Sequence, residues 1–269
     1  MAFFLGKRER EKTICHLKKA FGETFTPDQI YLTAKNTFLN LGRNAAELFL
    51  WETYTPQKLR ERIDVEGFEH VYAGLKQGKG VLIVTGHCGN WELMPAFVVV
   101  ESGCEGSVIV RTDRGNRLND LINSMRLSKG FGVIDRDESP RKILRQLRSN
   151  KIIGILPDQD IKRLDGVFVD FFGYPAYTPT APVVIALASG CALVPAVIIR
   201  DRNCKMRHKL VFYPPIELNT NRKDKTALVL NTQKWTTILE NHIRQYPDQW
   251  VWMHKRWKTT PESLKGRRA

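Results

Sequence analysis

From residue 81 onward, short apolar runs alternate with segments of helical periodicity, and this alternation constrains the fold more than any other feature of the sequence. The clearest runs are VLIVTG (81–86), SVIVRT (107–112), IIGILPDQ (152–159) and LVPAVIIRD (193–201). Short continuous apolar runs of this kind are typical of strands buried on both faces. Strands that alternate with helices predict an α/β fold with a largely parallel central sheet flanked by helices.

The segments around these runs complete the expected organisation. Two further strands are predicted at VFVDFFG (167–173) and KLVFYPPIEL (209–218), and helices at 66–77, 91–103, 116–130, 139–150, 180–190 and about 225–245. Pro140 suits the first position of its helix, with Ser139 as the cap. With no repeat or clear linker, we expect one domain over 1–269, with a mainly helical portion (1–80), an α/β core (81–218) and a helical C-terminal portion (219–269).

Composition narrows the functional classes. Hydrophobic residues make up 42% of the chain and charged residues 26%, which is typical of a globular rather than a disordered or membrane-embedded protein. The five cysteines are scattered and show no metal-type spacing, so we expect reduced thiols, no disulfide framework and no metal site. The formal net charge of +14 predicts an anionic partner such as nucleic acid, an acidic membrane or an acidic carrier substrate.

The first strand is followed by the candidate catalytic site. Sites in open α/β sheets form where strands pass into helices, and this junction carries Gly86, His87, Cys88, Gly89 and, in the first helical turn, Glu92. His87 and Glu92 could meet if His87 lies in the turn and Glu92 at the start of the helix. A carboxylate beside an imidazole fixes its tautomer and favours general-base catalysis.

Two alternatives stay open at this junction. Glu92 could simply complement the dipole of the helix, with His87 as a hydrogen-bonded turn residue. Cys88, at a helix N-terminus where thiolates are stabilised, could instead be the nucleophile of a thioesterase or transferase. Adjacent residues usually point apart, which makes a dyad of Cys88 and His87 awkward.

Four segments resemble one family. VTGHCGNWELMP (84–95) resembles the first signature of the bacterial lipid A biosynthesis acyltransferases, the lauroyl and myristoyl transferases of the lysophospholipid acyltransferase superfamily. The hallmark of that family is the HxxxxE motif, a His followed after four residues by an acid, usually within a GHxGNWE run. Residues 157–182 resemble the family's DQD…VFVxFFGxPAxTPT block, and 40–51 and 247–259 resemble its flanking segments. Members usually begin with an apolar anchor helix, which this sequence does not show.

The resemblance implies a reaction. A fatty acyl chain would pass directly from an acyl carrier protein or coenzyme A thioester to a hydroxyl of a lipid A precursor or similar glycolipid, with no cofactor or metal. His87 would act as the base, and Glu92 would orient it and offset its charge. The alternatives are a lipid-binding relative without catalysis and a basic nucleic-acid-binding protein. The sequence shows no familiar nucleic-acid motif, so we expect no nucleic-acid partner.

Several polar residues are candidates for substrate binding. Asn90 belongs to the GHxGNWE run, and Arg111 ends the second strand, where a guanidinium could bind a phosphate of acceptor or donor or pair with Asp113. The remaining candidates are Arg114, Arg126, Asp158, Gln159 and Asp170. Asp158 and Gln159 could orient a sugar hydroxyl or hold a loop, and Asp170 is a possible second carboxylate for His87. Aromatic residues between 168 and 177 could line an acyl groove, although such clusters usually belong to the core.

The charge also predicts a location. Basic clusters occur at 7–12, 200–209, 221–225, 254–258 and 265–268, and the N-terminal AFFLGKRER places apolar residues ahead of basic ones. Each Lys or Arg near an anionic leaflet contributes about 1 kcal/mol of attraction. We therefore expect a peripheral protein on the cytoplasmic face of the inner membrane. An acidic acyl carrier protein would dock on the same kind of surface.

Overall fold

A seven-stranded sheet forms the centre of the protein. The computed structural model describes residues 2–111, 115–138, 140–220 and 224–265. The strands of the described residues are β1 (Ile63–Glu66), β2 (Val81–Val84), β3 (Gly106–Val110), β4 (Phe131–Asp135), β5 (Ile152–Ile155), β6 (Gly166–Phe171), β7 (Tyr174–Pro179), β8 (Ala192–Arg200) and β9 (His208–Phe212).

The central sheet has the order β1-β9-β8-β2-β5-β3-β4. All of its neighbours are parallel except β8 and β9, which are antiparallel. Every residue of β2 and β8 is buried, as expected for strands covered by helices on both faces. The predicted α/β fold with a largely parallel sheet is confirmed.

In the part of the chain that the structure describes, most helices lie between or after the strands, and four precede the first strand. The helices are α1 (Ala2–Leu5), α2 (Lys7–Phe21), α3 (Pro27–Phe49), α4 (Pro56–Arg62), α5 (Glu69–Lys76), α6 (Leu93–Ser102), α7 (Arg117–Ser128), α8 (Pro140–Arg148), α9 (Ala181–Ser189), α10 (Lys225–Gln245) and α11 (Pro261–Lys265). Among the described residues, no helix combines the length and the apolar character needed to cross a membrane.

Local signals explain the ends of the main helices. Thr26 begins α3 with a capping box. The Thr26 hydroxyl accepts from the Gln29 backbone N–H, and the Gln29 side-chain oxygen accepts from the Thr26 backbone N–H. Asp224 caps α10, which spans the predicted residues 225–245. Gly190 ends α9 in the left-handed conformation that glycine favours. The proposed cap of α8, Ser139, lies outside the described residues.

Two parts of the chain differ from the expected outline. The mainly helical portion at 1–80 also contains β1, which pairs with β9, so that the expected helix at 66–77 is shortened to α5. The single strand predicted at 167–173 is half of a hairpin, in which β6 pairs with β7 outside the central sheet. The turn of this hairpin needs positive φ at Phe172 and Gly173.

The N-terminal apolar residues are divided between core and surface. Phe3 is buried and its ring packs edge-on against Tyr31 and Phe38, whereas Phe4 and Leu5 are exposed. Phe3 is therefore part of the fold rather than of the surface.

Candidate active site

The loop between β2 and α6 carries the candidate base. Its glycines allow two close approaches of the backbone. A side chain on Gly89, which has a φ of +53°, would collide with the carbonyl oxygen of Ile198 in β8. A side chain on Gly86 would come within 2.8 Å of Leu239 of α10. The glycines therefore let this loop lie directly over the end of the sheet.

The carboxylate that contacts His87 is Asp158. Nδ1 of His87 donates to Oδ1 of Asp158 at 2.6 Å, and the His87 backbone N–H donates to Oδ2 at 2.9 Å. The same Oδ2 accepts from the indole N–H of Trp250 at 2.9 Å. Asp158 follows β5, which is one of the two parallel neighbours of β2, so the two residues meet at the carboxyl edge of the sheet.

His87 and Asp158 each stabilise the charged form of the other. Burial alone would raise the pKa of the Asp158 carboxyl, but the charge and hydrogen bonds of His87, together with the Trp250 N–H, hold that pKa well below its usual range. Burial alone would lower the pKa of His87, but the charge and hydrogen bond of Asp158 and the charge of Glu92 raise it overall. An ionised Asp158 can only accept, so the proton of neutral His87 lies on Nδ1 and Nε2 is left as the basic nitrogen.

The segment that follows α10 forms backbone hydrogen bonds with the loop that carries His87. The Val251 backbone N–H donates to the His87 carbonyl oxygen at 3.2 Å, and the Gly89 N–H donates to Gln249 at 2.9 Å. Cys88 and Trp250 form an isolated antiparallel bridge between these contacts. The predicted helical C-terminal portion thus contains, after α10, an irregular segment that holds the site.

Glu92 does not contact His87, and the expected direct pair is wrong. Both carboxylate oxygens of Glu92 accept from Arg126 of α7, at 2.9 Å from Nε and 2.6 Å from Nη2. Because both carboxylate oxygens of Glu92 are bound by the Arg126 guanidinium in this fork-like pair, Glu92 is directed to Arg126 rather than to the imidazole of His87. The charge of Glu92 still acts on His87, since it helps to raise the pKa of the ring.

A cavity of about 630 Å³ opens beside His87. His87, Trp91, Glu92, Arg126 and Gln159 lie in its lining together with Arg111. Most of the remaining wall is aliphatic and comes from α6, β3, β5, α8 and α9, with examples at Val98, Val108, Ile143, Ile155 and Ile185. The volume lies within the range of about 300–1,000 Å³ that is common for ligand pockets. The arrangement joins a positioned imidazole to an apolar space.

Asn90 is buried and does not line this cavity, so the structure does not support its expected role in substrate binding. Its side-chain N–H donates at 2.6 Å to Glu47 of α3, in a buried cluster where Glu47 also accepts from Arg200 and His208. Asn44 of the same helix donates to the Gly89 carbonyl oxygen at 2.5 Å. The cluster therefore anchors the loop after His87 to α3.

Asp170 likewise does not line the cavity. It is exposed on β6, where its carboxylate accepts from the Gly173 N–H at 3.2 Å, so it is not a partner of His87. The aromatic residues around it do not line the cavity either. Phe171 packs against Trp250 and Trp257, and the interpretation of these rings as an acyl groove is wrong.

The other expected residues have mixed outcomes. Arg111 lines the cavity, which leaves its binding of phosphate a prediction. Arg114 and Asp113, its suggested partner, lie outside the described residues. Cys88 is buried, and desolvation and the charge of Asp158 raise the pKa of its thiol, which opposes its use as a nucleophile. No group of three or more His, Cys, Asp or Glu side chains gathers as a metal site within the described ranges.

Comparison with known proteins decides the family. A family model described as bacterial lipid A biosynthesis acyltransferase matches residues 1–259. The chain belongs to this family. The lipid A biosynthesis lauroyltransferase of Escherichia coli is 26% identical over 264 residues, covering 96% of this chain and 83% of that protein. The phosphatidylinositol mannoside acyltransferase of Mycobacterium tuberculosis is 26% identical over 240 residues, covering 86% of this chain and 71% of that one.

A third relative of this acyltransferase family is the lipid A biosynthesis palmitoleoyltransferase of Escherichia coli, which is 24% identical over 257 residues and covers 95% of this chain and 80% of its own. Membership supports acyl transfer to a lipid. Sequence reasoning left two residues out of the site: Trp250, which donates to Asp158, and His254, which lies 2.9 Å from the amide nitrogen of Gln159. Both lie in the 247–259 segment that resembles the family's C-terminal block, and this resemblance was the available signal.

Proposed function

We propose that this acyltransferase moves a fatty acyl chain from an acyl thioester to a hydroxyl of a lipid A precursor or a similar glycolipid. The observation that carries the proposal is the position of His87, with Nδ1 bound to Asp158 and its ring in the wall of a mainly aliphatic cavity. The named relatives are lipid A biosynthesis acyltransferases and a phosphatidylinositol mannoside acyltransferase, and both of these lipids are glycolipids. The donor is a thioester of an acyl carrier protein or of coenzyme A.

The proposed reaction is one direct transfer. Nε2 of His87 removes the proton from the acceptor hydroxyl as its oxygen attacks the thioester carbonyl carbon. The carbon–sulfur bond then breaks, and the thiolate leaves with the proton that His87 returns. Asp158 stabilises the imidazolium between these events, since its carboxylate is ionised and bound to Nδ1. The reaction needs no cofactor besides the thioester donor.

Charge at the cavity suits the substrates. Arg111, Arg126 and Arg136 lie in the lining together with the acidic residues Glu92, Glu138 and Asp165. We assign Arg111 to a phosphate of the acceptor or of the donor, because a guanidinium matches phosphate oxygens in a planar fork. Arg126 holds Glu92 and so shapes the wall next to His87.

The transfer is tested by the lipids of a strain that lacks the gene. We expect such a strain to accumulate a glycolipid one acyl chain lighter than normal, and wild-type protein to restore the missing chain in mass spectra. His87→Ala should fail to restore it while reaching the same protein level. Unchanged lipids in the deletion strain, or full restoration by His87→Ala, would contradict the proposal.

We further propose that the protein lies on the cytoplasmic face of the inner membrane through α7. No residue of α7 is buried, and Leu118, Leu121 and Leu127 are exposed on the helix whose Arg126 lines the cavity. Phe49, 90% exposed, lies nearby at the end of α3, since the indole N–H of Trp51 donates to the Met125 carbonyl oxygen of α7. Exposed apolar residues beside an apolar cavity suit a lipid surface.

Vesicle sedimentation tests this orientation. Leu121→Asp should reduce binding to anionic phosphatidylglycerol vesicles several-fold. Leu230→Asp is the matched control, because Leu230 of α10 is 53% exposed and Leu121 is 56% exposed. Equal loss of vesicle binding in the two variants, or no loss in Leu121→Asp, would refute the orientation.

A further inference from the structure

Gln159 lines the cavity and its amide lies beside two imidazoles. Its side-chain Nε2 is 2.9 Å from Nε2 of His254 and 3.4 Å from Nε2 of His87. The ring centroids of the two histidines are 5.5 Å apart. Gln159 directly follows Asp158 in the chain, so the residues on both sides of the candidate base come from one loop.

His254 is suited to accept a hydrogen bond. Burial, together with the positive charge of His87, lowers the pKa of His254 to about 4, so its ring is neutral at pH 7. A neutral imidazole has one nitrogen that accepts, and an amide –NH₂ group can only donate. With the Gln159 –NH₂ nitrogen 2.9 Å from Nε2 of His254, this contact is a hydrogen bond from Gln159 to the tautomer of His254 that has its proton on Nδ1. In this arrangement the –NH₂ group of Gln159, rather than its carbonyl oxygen, lies beside the two rings.

The same –NH₂ group has a second hydrogen. At 3.4 Å, the distance from Gln159 to Nε2 of His87 exceeds the usual range of about 2.7–3.2 Å. A reacting hydroxyl oxygen must lie about 2.6–3.2 Å from that nitrogen. An acyl carbonyl attacked by this oxygen comes within reach of Gln159, which lines the cavity.

We propose that Gln159 is a catalytic residue whose N–H stabilises the negative charge on the thioester carbonyl oxygen, and that His254 is the positioning residue that orients its amide. This inference rests on the proposed acyl transfer. The stabilisation acts when the carbonyl becomes tetrahedral, so it should affect kcat and leave the KM for the thioester nearly unchanged. Loss of such a donor typically lowers kcat about 10²–10³-fold.

A double-mutant cycle tests the division of roles. We expect Gln159→Leu to lower kcat about 10²-fold and His254→Phe to lower it by a similar factor, with the thioester KM within about threefold of wild type. Because His254 acts through Gln159, the double variant should be no slower than Gln159→Leu alone. Effects that multiply in the double variant, or a raised KM with unchanged kcat, would overturn the inference.

The controls separate positioning from packing. His16→Phe changes another partly buried imidazole of this region, which contacts the Trp252 carbonyl oxygen and the Trp257 ring, and it should leave kcat unchanged. His254→Gln keeps a hydrogen-bond acceptor and should retain more activity than His254→Phe. If His254→Phe does not fold, His254→Gln takes its place in the cycle, with the same requirement that its effect vanish in the Gln159→Leu background.

The outcome can be told apart from failure of the proposed function. If the wild-type protein transfers no acyl group, the proposed function itself is refuted. An active wild type with additive variants retains the reaction and refutes the roles of Gln159 and His254.

Discussion

Two regions of the protein place a histidine against a buried carboxylate, and they differ in what surrounds the ring. Nδ1 of His87 donates to Asp158, and the ring lines the cavity. Nε2 of His208 lies 3.1 Å from Oε1 of Glu47, but neither of these residues lines the cavity. His208 is completely buried, and its Nδ1 has no hydrogen-bond partner among the described residues.

The carboxylates differ as well. Asp158 accepts from His87 and Trp250, so His87 is its charged partner. Both oxygens of Glu47 accept from Arg200 at 2.7 Å, which supplies a permanent positive charge. A histidine beside a carboxylate is therefore not sufficient to identify a base. The second ring nitrogen also needs access to substrate, and the carboxylate needs to serve the imidazole.

The largest effect on the proposed reaction is expected from a substitution of Asp158, the carboxylate partner of His87. We expect Asp158→Asn to lower kcat about 10²–10⁴-fold, the contribution of a positioned base. A base must be unprotonated, so the rate falls as the pH drops through the pKa of His87. Asp158 helps to raise that pKa, so the acid limb of the pH profile should move to lower pH in the variant. Initial rates of acyl transfer across pH measure both effects.

Asp170→Asn provides the control, because it makes the same chemical change on an exposed carboxylate of β6. Its rate and pH profile should match wild type. If Asp158→Asn kept both the rate and the acid limb of wild type, Asp158 would be a structural residue like Glu47.

At the second pair, the expected effect is on stability. Glu47→Gln leaves Arg200 buried without its charged partner and should lower the free energy of unfolding by about 3–5 kcal/mol. Burial opposes ionisation of Glu47, but the hydrogen bonds from Arg200 and His208 lower its pKa from 4.5 to about 2. Its stabilisation is thus complete above pH 4.5 and is lost as the pH falls toward about 2.

Denaturant unfolding at several pH values checks this expectation. Glu47→Gln should show a flatter loss of stability with acid than wild type. In Glu11→Gln, which removes an exposed ion pair with Lys7, the change should be within about 1 kcal/mol. A variant at Glu47 that keeps wild-type stability but loses kcat as strongly as Asp158→Asn would make this pair part of the chemistry.

The fold was predictable where burial leaves a simple pattern. The runs at β2, β5 and β8 are apolar on both faces, so the sequence alone indicates buried strands. β1 was missed because three of its four residues are exposed, and β7 because it contains Pro175 and Pro179, which argue against a strand. β7 forms because it pairs with β6 alone and needs no second neighbour.

The site was predictable as a place but not as a set of contacts. His87 follows one predicted strand, and Asp158 and Gln159 are the last residues of another. Parallel strands bring such residues to one edge of the sheet. The sequence does not show the strand order, in which β2 neighbours β5 rather than β3. Because β2 lies beside β5, His87 comes close enough to Asp158 for a hydrogen bond. Glu92, only five positions away in the chain, is taken by Arg126 from α7, a contact that no local pattern indicates.

The smallest effect is expected at Cys88, which tests whether adjacency to the base matters. Cys88 follows His87 but is buried, and burial with the nearby Asp158 charge keeps it a thiol by raising its pKa. Cys88→Ala should therefore leave kcat within about twofold and lower stability by about 1 kcal/mol through lost packing. The mass of the protein incubated with an acyl thioester should not increase. A covalent acyl adduct that disappears in Cys88→Ala, together with loss of activity, would instead make the thiol the nucleophile and His87 its base.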